Sequence, residues 1–168
     1  TYDSFVDGVC EVMELGQHNY IGIYPLTALP NTPFGEKEYI EKYGLKIINS
    51  YTAFNHYDIT EENEFEREDV VVESNTMSFA EYKKATLFRW VIMFAHYLGT
   101  MQYIARFTRK TKDISYKDFY ERLTNFIERE EGSFLNNELN ITRKNIDGVL
   151  AVEQPWGRIV PEVKENFA

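Results

Sequence analysis

Leu87-Phe-Arg-Trp-Val-Ile-Met-Phe-Ala-His-Tyr-Leu-Gly-Thr-Met-Gln-Tyr-Ile104 is the run around which the rest of the chain has to be arranged. It is apolar on nearly all sides of a helical projection, so it belongs inside a protein, wrapped by other elements. Upstream, Ser78 and Glu81 have the spacing of a capping box, in which the hydroxyl accepts from a first-turn amide and the carboxylate reaches back to the cap amide. Downstream, Arg106, Arg109, Lys110 and Lys112 place cations where the negative end of a helix dipole would lie. A helix from Ser78 to Lys110 would run roughly 45 Å, longer than a small domain is wide. The pattern therefore predicts a kink or break, with Gly99 as its site. The run has the length of a membrane span, but Arg89, His96 and Gln102 lie within it, which favours a helix buried in protein.

The composition is sufficient to bury such a helix. At 168 residues, 43% hydrophobic and 15% aromatic, the chain has material for one ordinary core. Its net charge of −9 is uneven: residues 1–77 hold 15 acidic and 4 basic side chains, net −11, and residues 78–168 hold 12 and 14, net +2. The acidic half would repel phosphates and the other half is balanced, so nucleic acid is not an expected partner. Cys10 is the single cysteine and lies on an apolar helical stripe. It makes no internal disulfide, and a small core residue in a reduced, cytoplasmic protein is the expectation. Thr1, Tyr2 and Asp3 open the chain without the basic start of a secretory signal.

Working outward toward the N-terminus, Val70-Val-Val-Glu73 predicts a short strand leading into the Ser78 cap, and Leu45–Phe54 a strand before it. The acidic segment between Asn55 and Asp69 reads as an exposed loop. Glu36–Tyr43 predicts a short helix stopped by Gly44. Asp3–Leu15 places Phe5, Val6, Val9, Val12 and Met13 on one side of a helix, with Asp3 as cap and Gly16 beyond its end. Tyr20–Leu26 reads as a strand covered on both faces and ended by Pro25. Helix then buried strand is the repeating unit of a parallel α/β fold, present here once. Thr27-Ala-Leu-Pro-Asn-Thr-Pro-Phe34 is then a rigid loop at the end of a strand, where α/β proteins carry ligand sites.

Toward the C-terminus, Ser115 with Asp118 opens a capped helix whose apolar positions Tyr116, Phe119, Tyr120, Leu123, Phe126 and Ile127 keep helical spacing, closed by Gly132. Ser133–Val152 gives a weaker helical pattern interrupted by Gly148, and Gln154–Gly157 a turn. The fold class expected is α+β and mainly helical, about half the residues in helix. It has a small two- or three-stranded sheet and a long central helix packed by C-terminal helices.

Generic catalytic motifs are absent: there is no Gly-x-Ser-x-Gly elbow, phosphate loop or dinucleotide turn. The three histidines, His18, His56 and His96, lack metal-ligand spacing, so no metal site is expected. His56 with Asp58 and the acidic run offers oxygen ligands for a cation, but without the glycine turn of a calcium loop a solvated loop is favoured. Arg89 and His96, seven apart, share a helix face. They either line a polar cavity facing substrate or pair with carboxylates from the first half, since a buried charge needs a partner in both cases.

Gln17-His-Asn-Tyr-Ile21, Tyr24-Pro-Leu-Thr-Ala-Leu-Pro-Asn-Thr-Pro33, Glu38-Tyr-Ile-Glu-Lys-Tyr-Gly44 and Ser74-Asn-Thr-Met-Ser-Phe79, in that order, resemble the C-terminal part of radical S-adenosylmethionine proteins of the cobalamin-binding type, in a methyltransferase subgroup. The resemblance covers roughly the first 130 residues. It implies that residues 1–34 are the last helix and strand of a truncated barrel, and residues 35–168 a C-terminal, mainly helical extension that covers the barrel mouth. Leu29, Pro30 and Asn31 would face S-adenosylmethionine or substrate. In such a parent protein a [4Fe-4S] cluster, S-adenosylmethionine and cobalamin are implied. A single cysteine leaves no cluster motif here, so the chain itself is expected to hold no cofactor and no catalytic residue. The partners implied are the rest of the parent polypeptide and a small-molecule substrate, with no membrane. A severed strand edge would also invite a dimer. The alternative is a stand-alone helical module for protein interaction or small-ligand binding; a hydrolase built on His56 or His96 has no motif behind it.

Overall fold

The computed structural model describes residues 1–51 and 67–151. Tyr2–Glu14 forms α1, Lys37–Tyr43 α2, Lys46–Tyr51 β1, Arg67–Glu73 β2, Phe79–Ile92 α3, Gln102–Lys112 α4, Tyr116–Arg129 α5 and Phe134–Leu150 α6. The architecture is α+β and mainly helical, as its sequence implies.

The predicted break in the long apolar run is present, and it is built in two steps. At Met93–Tyr97 the helix widens into a π-turn, closed by the Leu98 amide donating to the Met93 carbonyl at 2.8 Å. The helix then ends at Gly99, whose φ of 86° lies where only glycine sits without strain. Thr100 Oγ1 donates to the Phe94 carbonyl at 2.6 Å and satisfies an acceptor that the break leaves open. α3 begins where expected: Ser78 accepts from the Glu81 amide, and the Glu81 carboxylate accepts from the Ser78 amide at 2.9 Å. These hydrogen bonds hold the Glu81 carboxyl below its usual pKa.

α3 is the centre of the core. Phe88, Val91, Ile92 and Ala95 are buried against Val6, Cys10 and Met13 of α1, Tyr120 and Ile127 of α5, and Leu139, Ile146 and Leu150 of α6. Val70 and Val72 of β2 close the remaining side, with Val71 buried on the opposite face of the strand. β1 and β2 pair antiparallel, from Lys46 opposite Glu73 to Tyr51 opposite Arg67, with an irregularity between Lys46 and Ile47.

Gly44 ends α2 with φ 59°, and a Cβ there would meet Asn75 Oδ1 at 2.1 Å. The close approach lets the Asn75 amide donate to the Tyr43 carbonyl and its side chain to Lys42, tying α2 to the β2–α3 connection.

Four local expectations differ from what is observed. Tyr20–Leu26 is extended but is not a strand; Tyr20, Tyr24 and Leu26 are exposed, and contact with the sheet is an antiparallel bridge from Thr27 to Val70. The lack of alternation reflects a connecting segment and not a strand covered on both faces. Thr1, not Asp3, caps α1, because its hydroxyl reaches the Ser4 amide. β2 begins at Arg67, within the segment expected to be loop, because Arg67, Glu68 and Asp69 pair with Tyr51, Ser50 and Asn49 of β1. α6 passes through Gly148 without interruption, held by packing of Ile146, Val149 and Leu150. The end of the expected 45–54 strand, the 55–66 loop, the 154–157 turn and the C-terminal residues 158–168 lie outside the described residues.

Candidate functional site

The structure brings together His18 and His96, 78 residues apart in sequence, and adds Tyr120, Tyr116 and Gln102. His18 follows Gly16, whose φ of 92° turns the chain out of α1. His96 is carried by the π-turn. Arg89, on α3, and His96, on the π-turn, meet different neighbours: Tyr82 and Tyr20 act on the first, His18 and Tyr120 bond the second. His96 Nε2 lies 3.2 Å from His18 Nδ1, and His96 Nδ1 lies 2.6 Å from the Tyr120 hydroxyl. Gln102 Nε2 donates to the His18 carbonyl at 2.6 Å and to the His96 carbonyl at 3.1 Å, stitching α4 to both. The Tyr116 ring stands against both imidazoles, and the Tyr97 ring against His96.

His96 is fully buried. Burial, with smaller effects from His18 and Arg106, pushes its pKa down to about 4, so it is neutral at pH 7. Burial and Arg106 lower His18 as well. Burial moves the Tyr120 hydroxyl far above its ordinary range, so it is a hydrogen-bond donor at every working pH. The chain of groups can fix geometry and hold a proton at defined atoms.

The other expected site residues lie elsewhere. Arg89 is half-buried; burial lowers its pKa, opposed by the phenols of Tyr82 and Tyr20. Leu29, Pro30 and Asn31 form an exposed turn. Asn31 is left-handed at φ 62°, the Thr32 hydroxyl and amide both donate to the Leu29 carbonyl, and Gly35 sits where a Cβ would meet that carbonyl at 2.6 Å. His56 and Asp58 lie outside the described residues. Tyr120 and Gln102 were hidden in the sequence because one occupies a core position of α5 and the other opens α4. A buried histidine needs a polar partner, which is the one signal pointing toward a buried tyrosine on a neighbouring helix.

A second feature is the outer face of the molecule. Leu98, Tyr103, Ile104 and Phe107 are 69%, 75%, 52% and 65% exposed. Tyr103 and Phe107 are one helical turn apart, so they form a stripe on α4, flanked by Arg106 and Lys110. Leu15, Tyr20, Tyr24, Leu26 and Leu29 are also exposed on the connection after α1.

These residues do not fit the groups that radical chemistry uses. A [4Fe-4S] cluster needs three thiolates, and the chain has one cysteine, buried and pushed up to about 12 by burial. Among the described residues no group of three or more His, Cys, Asp or Glu side chains could hold a metal, and no helix is long and apolar enough to cross a membrane.

Fold and site together define a mainly helical α+β unit with a closed core, an internal polar chain and an apolar outer face. No family model matches the chain. It is 33% identical over 123 residues to 2-(S-pantetheinyl)-carbapenam-3-carboxylate methyltransferase of Streptantibioticus cattleyicolor, and 31% identical over 126 residues to the cobalamin-dependent radical SAM methyltransferase TokK of Streptomyces tokunonensis. The matches take in 73% and 75% of this chain but 18% of each relative, so the chain spans under a fifth of the curated proteins it matches. It is homologous to a segment of cobalamin-dependent radical S-adenosylmethionine methyltransferases.

Proposed function

We propose that the chain is the C-terminal, substrate-covering segment of a cobalamin-dependent radical S-adenosylmethionine methyltransferase acting on a small molecule in the cytoplasm. The carrying observation is that about three quarters of the chain matches less than a fifth of two methyltransferases. Residues 1–34 are the last helix and connection of the barrel, and residues 35–168 the extension. The [4Fe-4S] cluster, S-adenosylmethionine and cobalamin are held by the rest of the parent polypeptide, and the chain alone is inactive. Leu29, Pro30 and Asn31, on a turn pinned at the Leu29 carbonyl, face S-adenosylmethionine or substrate. Arg89 and His96 act from behind, through the elements they pack on. The stripe of Tyr103, Ile104 and Phe107 seats the segment on the rest of the parent, which supports the reading because contiguous exposed aromatics mark interaction surfaces.

The test is methyl transfer by the full parent polypeptide supplied with S-adenosylmethionine, cobalamin and a reductant. Leu29→Ala with Asn31→Ala is expected to raise KM about tenfold or more, and Tyr103→Ser with Phe107→Ser to lower activity at unchanged cofactor content. A parent polypeptide that lacks three clustered cysteines, or does not cleave S-adenosylmethionine, would remove the proposal.

A further inference from the structure

We infer that the His18–His96–Tyr120 chain is a one-way, proton-sensitive latch: Tyr120 donates to His96 Nδ1, His96 Nε2–H donates to His18 Nδ1, and protonation of His18 breaks that bond and loosens the hold of His96 on the connection after α1. This goes beyond the proposed function and does not depend on it.

The direction follows from satisfaction of buried donors. The Tyr120 hydroxyl is completely buried, and among the described residues its hydrogen-bond partner is His96 Nδ1. A neutral imidazole has one donor and one acceptor nitrogen. If Nδ1 carried the proton, the Tyr120 hydroxyl would accept and its own O–H would be stranded. Nδ1 therefore accepts, Nε2 carries the proton, and His18 Nδ1, 3.2 Å away, must accept it. His18 then bears its proton on Nε2, on the far side of its ring.

This polarity cannot survive a second proton. On His18, the proton goes to Nδ1 and two N–H groups face each other. Reversing the chain relieves them and strands the Tyr120 O–H. On His96, the proton goes to Nδ1 and strands the Tyr120 O–H, while Nε2–H still donates to His18. The charged groups around the latch do not compensate: Arg106 of α4 acts on both imidazoles as a like charge, and the imidazoles oppose each other. Tyr97, Tyr116 and Tyr120 face the pair as neutral phenols. From α1, Cys10 acts on Tyr97 and Tyr120, and Glu14 acts on Tyr116 and accepts from its amide, so neither is directed at an imidazole.

What the latch holds is also visible. Among the described residues, backbone–backbone hydrogen bonds tie Gln17 to Val12, and Leu26 and Ala28 to β2, with none between. His18, through His96 and through Gln102 on its carbonyl, is one polar attachment of that interval to the helical core, beside the apolar packing of Ile21 and Ile23.

The test uses the full chain with ¹⁵N-labelled histidine. At pH 7.5 both ring systems should show the Nε2–H tautomer; His96 carrying its proton on Nδ1 would overturn the inference. Exchange of the His96 Nε2–H proton with water, corrected for intrinsic rate, should rise about tenfold or more between pH 7.5 and pH 5. In His18→Gln the amide oxygen can accept from His96 Nε2–H and takes up no proton, so the rise should be lost at pH 5. A His18→Gln profile identical to that of the unaltered chain would equally overturn it.

Discussion

The apolar run Leu87–Ile104 ends α3 and begins α4, and the two helices lie in opposite environments. Phe88, Val91 and Ile92 of α3 are almost wholly buried, whereas Tyr103, Ile104 and Phe107 of α4 are more than half exposed, with Ala105 as the buried position of that helix. Composition already separates them, nine of the fourteen residues of α3 being hydrophobic against four of the eleven of α4, and position relative to the break adds to it. α3 is walled by α1, α5, α6 and β2, while α4 leaves that enclosure after Gly99 and rests on it through Ala105, Gln102 and the Glu14–Arg109 ion pair at 2.7 Å. The apolar side chains of the two helices thus have two uses, those of α3 closing a core and those of α4 facing outward where the described residues do not cover them.

The strongest way to break this comparison is to remove one large aromatic from each helix. Phe88→Ala should lower the unfolding free energy by about 3–5 kcal/mol, as a large side chain leaves a cavity in a packed core. Phe107→Ala should change it by no more than about 0.5 kcal/mol, as expected of an exposed position. Urea denaturation of the two variants decides the matter. Comparable losses would mean that α4 is packed as tightly as α3.

The junction between the two helices sharpens the contrast by pH. His96 is neutral when buried, with its pKa pushed from the usual 6.5 to about 4. The unfolded chain therefore takes up a proton first, and stability must rise with pH. The contribution is complete above about pH 6.5, is lost progressively as pH falls toward about 4, and changes no further below it. Between pH 7 and pH 5, where most carboxylates stay ionised, the expected loss is about 2 kcal/mol. Urea midpoints measured across that range test it, and a flat profile would mean that water reaches the imidazole in the folded state.

Much of α3 and of the break was readable in the sequence because the signals were local. Ser78 and Glu81 are three residues apart, Gly44 and Gly99 act through their own backbone angles, and the helical spacing in α5 needs nothing beyond its own turn. The site was less readable because its geometry is not local. His96 could be recognised as a polar intruder, but a π-turn altered its direction and its partners came from positions 18 and 120. Arg89 and His96 were expected on one helix face from their seven-residue spacing, and the partners of His96 come from distant parts of the chain. Tyr20–Leu26 misled for a related reason: β-rich residues without alternation describe both a buried strand and an exposed connection, and only the contact at Thr27 separates them.

The smallest of these effects bears on why the run breaks at all. Gly99→Ala can act in either direction. If glycine were only a weak point in a helix that would otherwise continue, alanine would favour continuation by about 1 kcal/mol and raise stability. The structure argues for the opposite sign. Gly99 sits at φ 86° with open space around it, so an added methyl meets no atom and acts through backbone strain alone. The break itself is held by side chains, locally by Thr100 on the Phe94 carbonyl and Gln102 on that of His96, and from outside by Gln102 on the His18 carbonyl. Continuing the helix would forfeit those bonds and pull His96 from Tyr120. Alanine must then adopt the left-handed conformation, at a cost of about 1 kcal/mol. A destabilised Gly99→Ala variant with unchanged helical content by circular dichroism fits a break imposed by tertiary contacts. A stabilised variant with added helix would show that α3 and α4 are one helix interrupted by a single residue.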